Sequence, residues 1–365
     1  MNSVDQDIVH GLEGVMVCGT RLSHYDGPNG TFVLRGGADI RDVAGRMSFE
    51  DVIEHLWPDP DASFSKGSPG VAHRLHECSQ LTPAAVDLLA RTPVDGDAID
   101  VLKAALAVDA LEKSSSRDLS VNGAFELTAG LATAAARLAR RRAGQPPVEP
   151  RPGLGFAANF LYMSTGAPPD DRQVRCLETY LVVMAEHGLN PSTFSACVTA
   201  STGSDLCSAV VAAMGTLKGP AHGGAVGEAW AMVNDAMSGS AEQVVRGRLA
   251  ANRLLPGFGH REYRVYDPRA KIFRDLCRTE NPAYFRTAQE IEAVALPQLA
   301  ERGVGRTISV NVDFYAGGVL AAAGIAPELF TSCFAMARIV GWCAHALEYV
   351  DSGGRLISPT SKWLG

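Results

Sequence analysis

The sequence predicts a mostly α-helical protein, and three observations lead to this prediction. Apolar residues recur with helical spacing through most of the chain from Ser48 onward. Ser48 stands directly before an apolar-periodic run, as a helix N-cap does, and alanine, the best helix former, dominates 132–139. Strands and helices do not alternate along the chain, so a parallel α/β sheet is not expected.

Only residues 8–40 have the pattern of short strands and turns. Residues 14–18 and 31–34 suit strands, and the Asp-Gly and Asn-Gly dipeptides between them favour turns, so we expect a small N-terminal β-ribbon. The segments that we expect to be helical are 82–91, 97–113, 120–142, 157–164, 171–187, 192–217, 224–237, 241–251, 268–278, 282–300, 315–323 and 327–349.

Length and composition indicate a soluble globular protein large enough for two domains: 365 residues, 46% apolar and 20% charged. The net charge of -7 argues against a general nucleic-acid binder. The N-terminal residues lack the basic and apolar regions of a signal peptide, and no window reaches roughly 18 uninterrupted apolar residues, so no membrane span is expected. Eight cysteines without a C-x-x-C pair argue against a metal site or disulfide framework and favour a cytoplasmic location.

Three short polar clusters interrupt the apolar and glycine-rich sequence between residues 219 and 313. His222 stands in a Gly-Pro-Ala-His-Gly-Gly-Ala run, His260 follows a Pro-Gly-Phe-Gly turn, and Asp313 follows the β-branched, apolar run 308–312. Imidazole and carboxylate groups in such settings are suited to removing a proton from carbon and to stabilising the charge that develops. The clusters therefore predict acid–base chemistry at carbon.

These clusters, in this order, resemble those of the citrate synthase family. The resemblance covers nearly the whole chain, since segments 11–15, 159–163, 187–194, 337–345 and 363–365 also match in family order. It implies a large helical domain formed by 1–222 and 319–365, and a small inserted helical domain, 223–318, that carries His260 and Asp313. It also implies a homodimer and closure of the small domain over the substrates.

Members of this family join acetyl-CoA to oxaloacetate by a Claisen-type condensation and then hydrolyse the thioester, a step of the tricarboxylic acid cycle. The resemblance implies that Asp313 is the base for the acetyl methyl, that His222 stabilises the enolate oxygen, and that His260 polarises the oxaloacetate ketone. An apolar pocket would raise the pKa of Asp313, and a helix N-terminus would keep His222 neutral. From the residues alone, Asp313 could instead cap a helix beginning near Phe314, and either histidine could be structural.

Arg338 lies in the apolar stretch 334–342, where a charge needs an anionic partner. That partner could be a substrate carboxylate, which an arginine binds through two hydrogen bonds, or a structural Asp or Glu. The resemblance assigns substrate binding to Arg338, Arg269, His187, Asn190 and Ser192, and CoA binding to Arg264, Gly257 and Gly259. A structural histidine at 187 and a solvated arginine at 264 remain the alternatives. No metal and no cofactor besides the acyl-CoA substrate is expected.

The sequence departs from the family pattern at three positions. Ser358 stands where family members usually carry an arginine that reaches the partner subunit's site, so either Arg355 compensates or the acceptor is not oxaloacetate in the usual pose. Gly188 replaces a common acidic residue and Val226 a common asparagine. Both changes alter the polarity around His187 and His222 without removing a catalytic group.

Three functions are compatible with these observations. The first is a homodimeric enzyme that condenses an acyl-CoA with a 2-oxo acid. Acetyl-CoA is the expected donor and oxaloacetate the expected acceptor; propionyl-CoA, as in a 2-methylcitrate synthase, or a different acceptor comes next. The second is a citryl-CoA lyase, which uses the same chemistry in reverse. The third is a catalytically weak paralogue that binds CoA or a carboxylate. The intact His222, His260 and Asp313 favour the first.

Overall fold

The computed structural model describes residues 8–57, 70–263, 265–302 and 308–363, and within them the protein is mostly helical, as predicted. The helices are α1 (Ile40–Val43), α2 (Phe49–Leu56), α3 (Val71–Glu77), α4 (Pro83–Arg91), α5 (Ala98–Glu112), α6 (Val121–Arg142), α7 (Phe156–Thr165), α8 (Asp171–Met184), α9 (Pro191–Ser201), α10 (Leu206–Leu217), α11 (Ala225–Met237), α12 (Ala241–Ala250), α13 (Pro268–Glu280), α14 (Pro282–Arg302), α15 (Asp313–Ala322) and α16 (Phe330–Asp351).

The β-ribbon is a three-stranded antiparallel sheet in the order β1 (Ser23–Asp26), β2 (Thr31–Leu34) and β3 (Ala38–Asp39). Tyr25 pairs with Phe32 across the first two strands. The predicted turn is present, but the predicted strand at 14–18 is wrong. Val15 and Met16 are 44% and 94% exposed, and no neighbouring strand pairs with this segment within the described residues.

Capping residues determine where most helices begin. Ser48 accepts from the backbone N–H of Asp51, whose carboxylate accepts from the Ser48 N–H, so the predicted N-cap is confirmed as a capping box. The predicted single helix over 192–217 is wrong, because it is two helices. The turn at Thr202 and Gly203 ends α9, and the Asp205 carboxylate caps α10 by accepting from Ser208 at 2.7 Å.

Helix α16 lies at the centre of the larger group of helices and packs against α6, α8, α9 and α10. The stretch Pro327–Asp351 is long and apolar enough to cross a membrane by length and composition, but 94% of its most apolar window is buried inside the protein. It is therefore the core helix of this group. All eight cysteines lie within the described residues, and none forms a disulfide.

In a second group, α11, α13 and α14 pack against α15 while α12 packs against α11 and α14, and this group contacts the first mainly through α8 and also through α16 and α1. Tyr180 of α8 stacks on Phe273 of α13 with ring centroids 5.6 Å apart. Near the same contact, Arg175 pairs with Glu280 at 2.6 Å. The division into domains at 222/223 and 318/319 stays a prediction.

Candidate active site

A short antiparallel bridge brings His260 and Asp313 together although 52 residues separate them. Phe258 pairs with Val310, and Gly259 N–H donates to the Ser309 carbonyl at 2.8 Å. The Asn311 side chain then joins the two strands, because its amide donates to the Gly259 carbonyl at 2.7 Å while its oxygen accepts from Asp313 N–H at 3.0 Å. The two candidate catalytic residues are thus parts of one hydrogen-bonded unit.

Gly257 makes this bridge possible. Its φ of +86° is in the left-handed region, and a Cβ there would come within 2.6 Å of the Phe314 Cβ. Gly257 and Gly259 therefore shape the loop that carries His260. Their predicted role in CoA binding stays a prediction, and Arg264 lies outside the described residues.

Asp313 is the first residue of α15, where Val312 takes the cap position, so the Asp313 carboxylate is not a helix cap. Among the described residues, no group donates a hydrogen bond to this carboxylate and no cation forms an ion pair with it. The pKa of Asp313 is raised to about 7, mainly by burial; the charge of Arg269 opposes this rise, Asp267 contributes to it, and Arg338 opposes it to a smaller extent. The carboxylate is buried, as expected, although three charged side chains lie near enough to act on it, and such a pKa would suit a base at neutral pH.

The backbone holds the ring of His260 in one tautomer. Its Nδ1 accepts from the N–H groups of Glu262 and Tyr263 at 3.0 and 3.1 Å. A neutral imidazole that accepts at Nδ1 carries its proton on Nε2. Nε2–H therefore serves as the donor, as polarising a ketone requires.

Arg269, at the start of α13, is buried beside His260. Asp267 binds it by accepting from Nε at 3.1 Å and from Nη2 at 2.8 Å, and Nη2 lies 3.5 Å from the His260 Nε2. The same carboxylate accepts from Val312 N–H at 3.2 Å, next to Asp313. Asp267 thus ties the arginine to the loop of the candidate base.

Arg338 is buried in α16, 1% exposed, and no carboxylate of the described residues lies within ion-pair distance of it. Its Nε donates to the Met184 carbonyl at 2.7 Å, whereas its Nη2 is buried without a hydrogen-bond partner in the described structure. Burial, together with Arg269, lowers the pKa of Arg338 to about 10, so it stays charged at neutral pH. The structural Asp or Glu partner that the sequence left open is absent from the described residues, which favours an anionic ligand.

One face of α16 holds the segment that leads to His187. Arg338 binds the Met184 carbonyl, and Gly341 N–H donates to the Ala185 carbonyl at 3.2 Å. One turn later, His345 Nε2 lies 2.7 Å from the Glu186 Oε1 in a fully buried ion pair. Burial opposes both charges, yet the pair lowers the pKa of Glu186 and raises that of His345. This buried charge also favours the charged form of Arg338 without occupying its Nη2.

His187 lies beyond the end of α8, which stops at Met184 rather than at the predicted 187. Its ring stacks on Tyr25 at 5.2 Å and packs against Phe32 at 5.1 Å, so the β-ribbon forms one wall of the site. Its Nε2 lies 3.1 Å from the Tyr263 hydroxyl. Burial first, then Arg269 and His260, lower the pKa of His187 well below its ordinary value, so it is neutral.

Asn190 and Ser192 support the site from the start of α9. Asn190 is the N-cap of this helix, and its side chain accepts from the N–H groups of Ser192 and Thr193. Its amide group donates to the Gly188 carbonyl and the Thr193 hydroxyl. These bonds occupy Asn190 within its own turn, so in this structure it supports the site rather than facing it.

The Ser192 hydroxyl connects α16 to His222. It accepts from the Trp342 Nε1–H at 3.0 Å, and its single proton donates either to the Asn190 Oδ1 or to the His222 Nε2, each 2.8 Å away. When the hydroxyl proton points to His222 Nε2, the imidazole carries its own proton on Nδ1. Nδ1–H is then available to a substrate oxygen.

Burial, followed by the charges of Arg338 and Arg269, lowers the pKa of His222 to about 3. This shift favours the neutral state that the sequence predicted, and burial is its largest cause. His222 stands before α11, which begins at Ala225, and its ring meets Phe334 edge-on at 5.8 Å. Phe334 also lies 5.0 Å from the Arg338 guanidinium, so one aromatic side chain separates donor and cation.

The positions that depart from the family pattern have local explanations or none. Gly188 has a φ of +58°, and a Cβ there would lie 3.0 Å from the Tyr25 ring, so a larger residue would be strained. Val226 is buried in the core. Ser358 and Arg355 are exposed beyond the end of α16, and nothing in the described structure explains the serine.

Four residues that the sequence reasoning missed belong to the site: Asp267, Asn311, Tyr25 and Tyr263. An aspartate before a proline at the start of a helix is a typical N-cap, and Asp267 does cap α13 by accepting from Arg269 N–H at 2.9 Å. Tyr25 has no local signal, because only the fold brings the ribbon to His187.

A helical fold with a raised-pKa carboxylate, neutral histidines and buried arginines defines an acid–base enzyme for an anionic substrate.

Comparison with known proteins identifies the family. The model of the citrate synthase C-terminal domain matches residues 11–360. Citrate synthase of Saccharolobus solfataricus is 34% identical, with 97% of this chain and 95% of the relative covered, and 2-methylcitrate synthase of Mycobacterium tuberculosis is 35% identical, with 98% and 91% covered. The crystal structure of citrate synthase from Thermotoga maritima superposes with a TM-score of 0.85 at 32% identity, covering 98% of this chain and 96% of the other. This chain belongs to the citrate synthase family, whose members are acyl-condensing transferases.

Proposed function

We propose that this protein condenses acetyl-CoA with oxaloacetate to form citrate and CoA. The observation that carries the proposal is the Asp313 carboxylate, which has no hydrogen-bond or ion-pair partner among the described residues and whose pKa is raised to about 7. The charges of Arg269 and Arg338 act on this carboxylate and also on the neutral His222, and the Arg338 Nη2 has no hydrogen-bond partner among the described residues. A base of this strength can take a proton from a thioester methyl, and the buried arginine requires an anion. A relative from Thermoplasma acidophilum, 26% identical with a TM-score of 0.86 and 98% of this chain covered, is known as a ternary complex with carboxymethyl coenzyme A and oxaloacetate.

In this proposal Asp313 removes a proton from the acetyl methyl, and the electron pair moves to the thioester oxygen, which His222 Nδ1–H stabilises. The enol carbon attacks the ketone carbon of oxaloacetate, while His260 Nε2–H donates to the oxygen that becomes the alkoxide. Water then cleaves the C–S bond of the citryl thioester and releases CoA as a thiol. Arg338 and Arg269 bind the carboxylates of the acceptor.

The test is CoA thiol release with acetyl-CoA and propionyl-CoA, each paired with oxaloacetate and with monocarboxylate 2-oxo acids. We expect turnover with oxaloacetate that Asp313→Asn abolishes. Asp235→Asn removes an exposed carboxylate of α11 and serves as the matched control, which should keep full activity. No thiol release from any pair by the wild-type protein would contradict the proposal.

The second candidate is 2-methylcitrate formation from propionyl-CoA. The curated 2-methylcitrate synthase is as similar to this chain as the citrate synthase is, at 35% and 34% identity. Higher kcat/KM with propionyl-CoA than with acetyl-CoA in the same assay would select this candidate.

Ser358 bears on the acceptor. If Arg355 replaces the missing arginine, Arg355→Ala raises the KM for oxaloacetate by roughly 10-fold or more, as loss of one charged partner does. If it does not, Ser358→Arg improves oxaloacetate over monocarboxylate acceptors. If Ser358→Arg and Arg355→Ala both leave the KM for oxaloacetate unchanged, then neither position takes part in acceptor binding.

The proposal includes a homodimer in the cytoplasm, with the small domain, 223–318, closing on the large one when substrates bind, and the reaction serving the tricarboxylic acid cycle. Closure would exclude water during condensation. Light scattering should give twice the 38.6 kDa mass of one chain. A monomer with full activity would contradict the dimer.

A further inference from the structure

The side chain of Tyr263 lies among the site groups but has no part in the proposed chemistry. It is 3% exposed, and its ring centroid is 4.7 Å from that of His260, 5.6 Å from that of His187 and 5.9 Å from the Arg269 guanidinium carbon. Its hydroxyl meets one site atom, the Nε2 of His187, at 3.1 Å. A buried tyrosine hydroxyl normally has a partner, and here that partner is a candidate substrate-binding residue.

The protonation states of the two groups determine the sense of this hydrogen bond. His187 is neutral, because burial and the neighbouring charges lower its pKa, and Tyr263 keeps its proton, because burial raises its pKa. The phenol O–H of Tyr263 is more acidic than the N–H of a neutral imidazole, so the O–H donates and the Nε2 of His187 accepts. His187 then carries its own proton on Nδ1.

Apart from Tyr263, the described contacts of the His187 ring are one hydrogen bond to its own backbone and the rings of Tyr25, Phe32 and His260. Tyr25 stacks on its face with an interplanar angle of 7°, and Phe32 packs against it at 5.1 Å. The rings determine the plane of the imidazole, and the Tyr263 hydroxyl holds its Nε2. Without the Tyr263 hydroxyl, Nε2 would lose its partner in a buried, largely apolar setting.

We propose that Tyr263 is a positioning residue whose hydroxyl sets the tautomer and the orientation of His187, and thereby the affinity for the acceptor acid. This inference rests on the proposed function, in which His187 binds the acceptor. The backbone N–H of Tyr263 makes a separate hydrogen bond, in which it donates to the His260 Nδ1. Tyr263→Phe keeps that backbone bond and removes the hydroxyl alone.

The kinetic experiment compares Tyr263→Phe, His187→Ala and the double variant. We expect Tyr263→Phe to raise the KM for oxaloacetate about 5-fold to 10-fold, the effect of one neutral hydrogen bond, with kcat within about 2-fold of wild type. In the His187→Ala background the same substitution should add nothing. Tyr266→Phe is the matched control, since it removes a hydroxyl from the same loop, one that lies 3.4 Å from Glu292, and should leave KM unchanged.

A second readout does not depend on turnover. Ring nitrogen NMR of His187 should show a protonated Nδ1 and a hydrogen-bonded, unprotonated Nε2, and only the Nε2 signal should move in Tyr263→Phe. If the wild type binds oxaloacetate by calorimetry but does not turn it over, the proposed function fails while the NMR test still applies. Additive effects in the double variant, or an unchanged Nε2 signal, would overturn the positioning role.

Discussion

At the scale of single residues, the raised pKa of Asp313 suits a catalytic base but lowers the stability of the folded state at neutral pH. Its pKa of about 7 means that the ionised form required of a base increases as pH rises. We predict that kcat/KM rises about 10-fold per pH unit below pH 7 and levels off above it, and that Asp313→Asn lowers kcat by roughly 10²-fold to 10⁴-fold. A pH–rate profile measures both, and a profile flat from pH 5 to 8 would contradict the assignment.

The same shift predicts a change in stability. The pKa of Asp313 in the folded state lies above its ordinary value of 3.8, so ionisation is more favourable in the unfolded chain. The folded state therefore loses stability as pH rises from about 4 to 7. We expect Asp313→Asn to have a higher Tm than wild type at pH 8 and an equal Tm near pH 4, as measured by calorimetry. A lower Tm at pH 8 would mean that Asp313 stabilises the empty site.

Arg338 shows a similar conflict between binding and stability. Its Nη2 is buried without a hydrogen-bond partner among the residues that the structure describes, and leaving such a group unsatisfied costs about 1–3 kcal/mol or more. Arg338→Met, of similar length and apolar, should therefore raise the Tm of the ligand-free protein while it abolishes measurable oxaloacetate binding. Arg338→Lys keeps the charge and should bind weakly, because it lacks the planar fork. Loss of stability in Arg338→Met would mean that the hydrogen bond from the Arg338 Nε to the Met184 carbonyl outweighs this cost.

At the scale of elements, two loops form one catalytic unit through Asn311. Its side chain joins Gly259, next to His260, to Asp313. We predict that Asn311→Ala lowers kcat about 10-fold or more, because a small displacement of either group disturbs their alignment. Stability should fall by only about 1–2 kcal/mol, the value of one or two hydrogen bonds. A large loss of stability with normal kcat would assign Asn311 to folding alone.

The buried pair of Glu186 and His345 holds the segment before His187 against α16. Because the pKa of Glu186 is lowered and that of His345 is raised, the pair stabilises the fold between those two values. Stability is lost as pH falls through the Glu186 pKa and as it rises through the His345 pKa.

Breaking this pair should be costly. Glu186→Gln should reduce the free energy of unfolding by roughly 3–5 kcal/mol near neutral pH, as removal of one buried partner does. The difference from wild type should shrink at both pH extremes. Urea titrations at three pH values measure it, and a constant difference would mean that Glu186 acts by packing rather than charge.

At the scale of the whole molecule, the site is assembled from both helix groups, so ligand binding should couple them. The first group provides His187, Ser192 and Arg338, while the loops around α13 and α15 provide His260 and Asp313. We predict that oxaloacetate at 100 times its Kd raises the free energy of unfolding by about 2.7 kcal/mol. Arg338→Met should show no such increase. Thermal shift measurements compare the two proteins, and an equal shift in both would contradict the assignment of Arg338.

The sequence by itself determined the helical class, the boundaries of most helices and the chemical types in the site. These are local properties: capping at Ser48, the polar clusters around His222 and His260, and a charge within an apolar helix at Arg338 can be recognised without the fold. The family resemblance also follows from local motifs in a fixed order. The prediction missed one local signal: Gly203 and Asp205 stand in the polar stretch 201–205, where α9 ends and Asp205 caps α10.

Only the tertiary structure decided how these groups act. Burial raises the pKa of Asp313, and two backbone N–H groups determine the tautomer of His260. The arrangement of whole helices leaves Arg338 without a carboxylate partner among the described residues. Tyr25 reaches His187 across 162 positions of the chain. Burial and long-range contacts depend on residues distant in sequence, and the electrostatics of the site depend on both, so no short motif contains them.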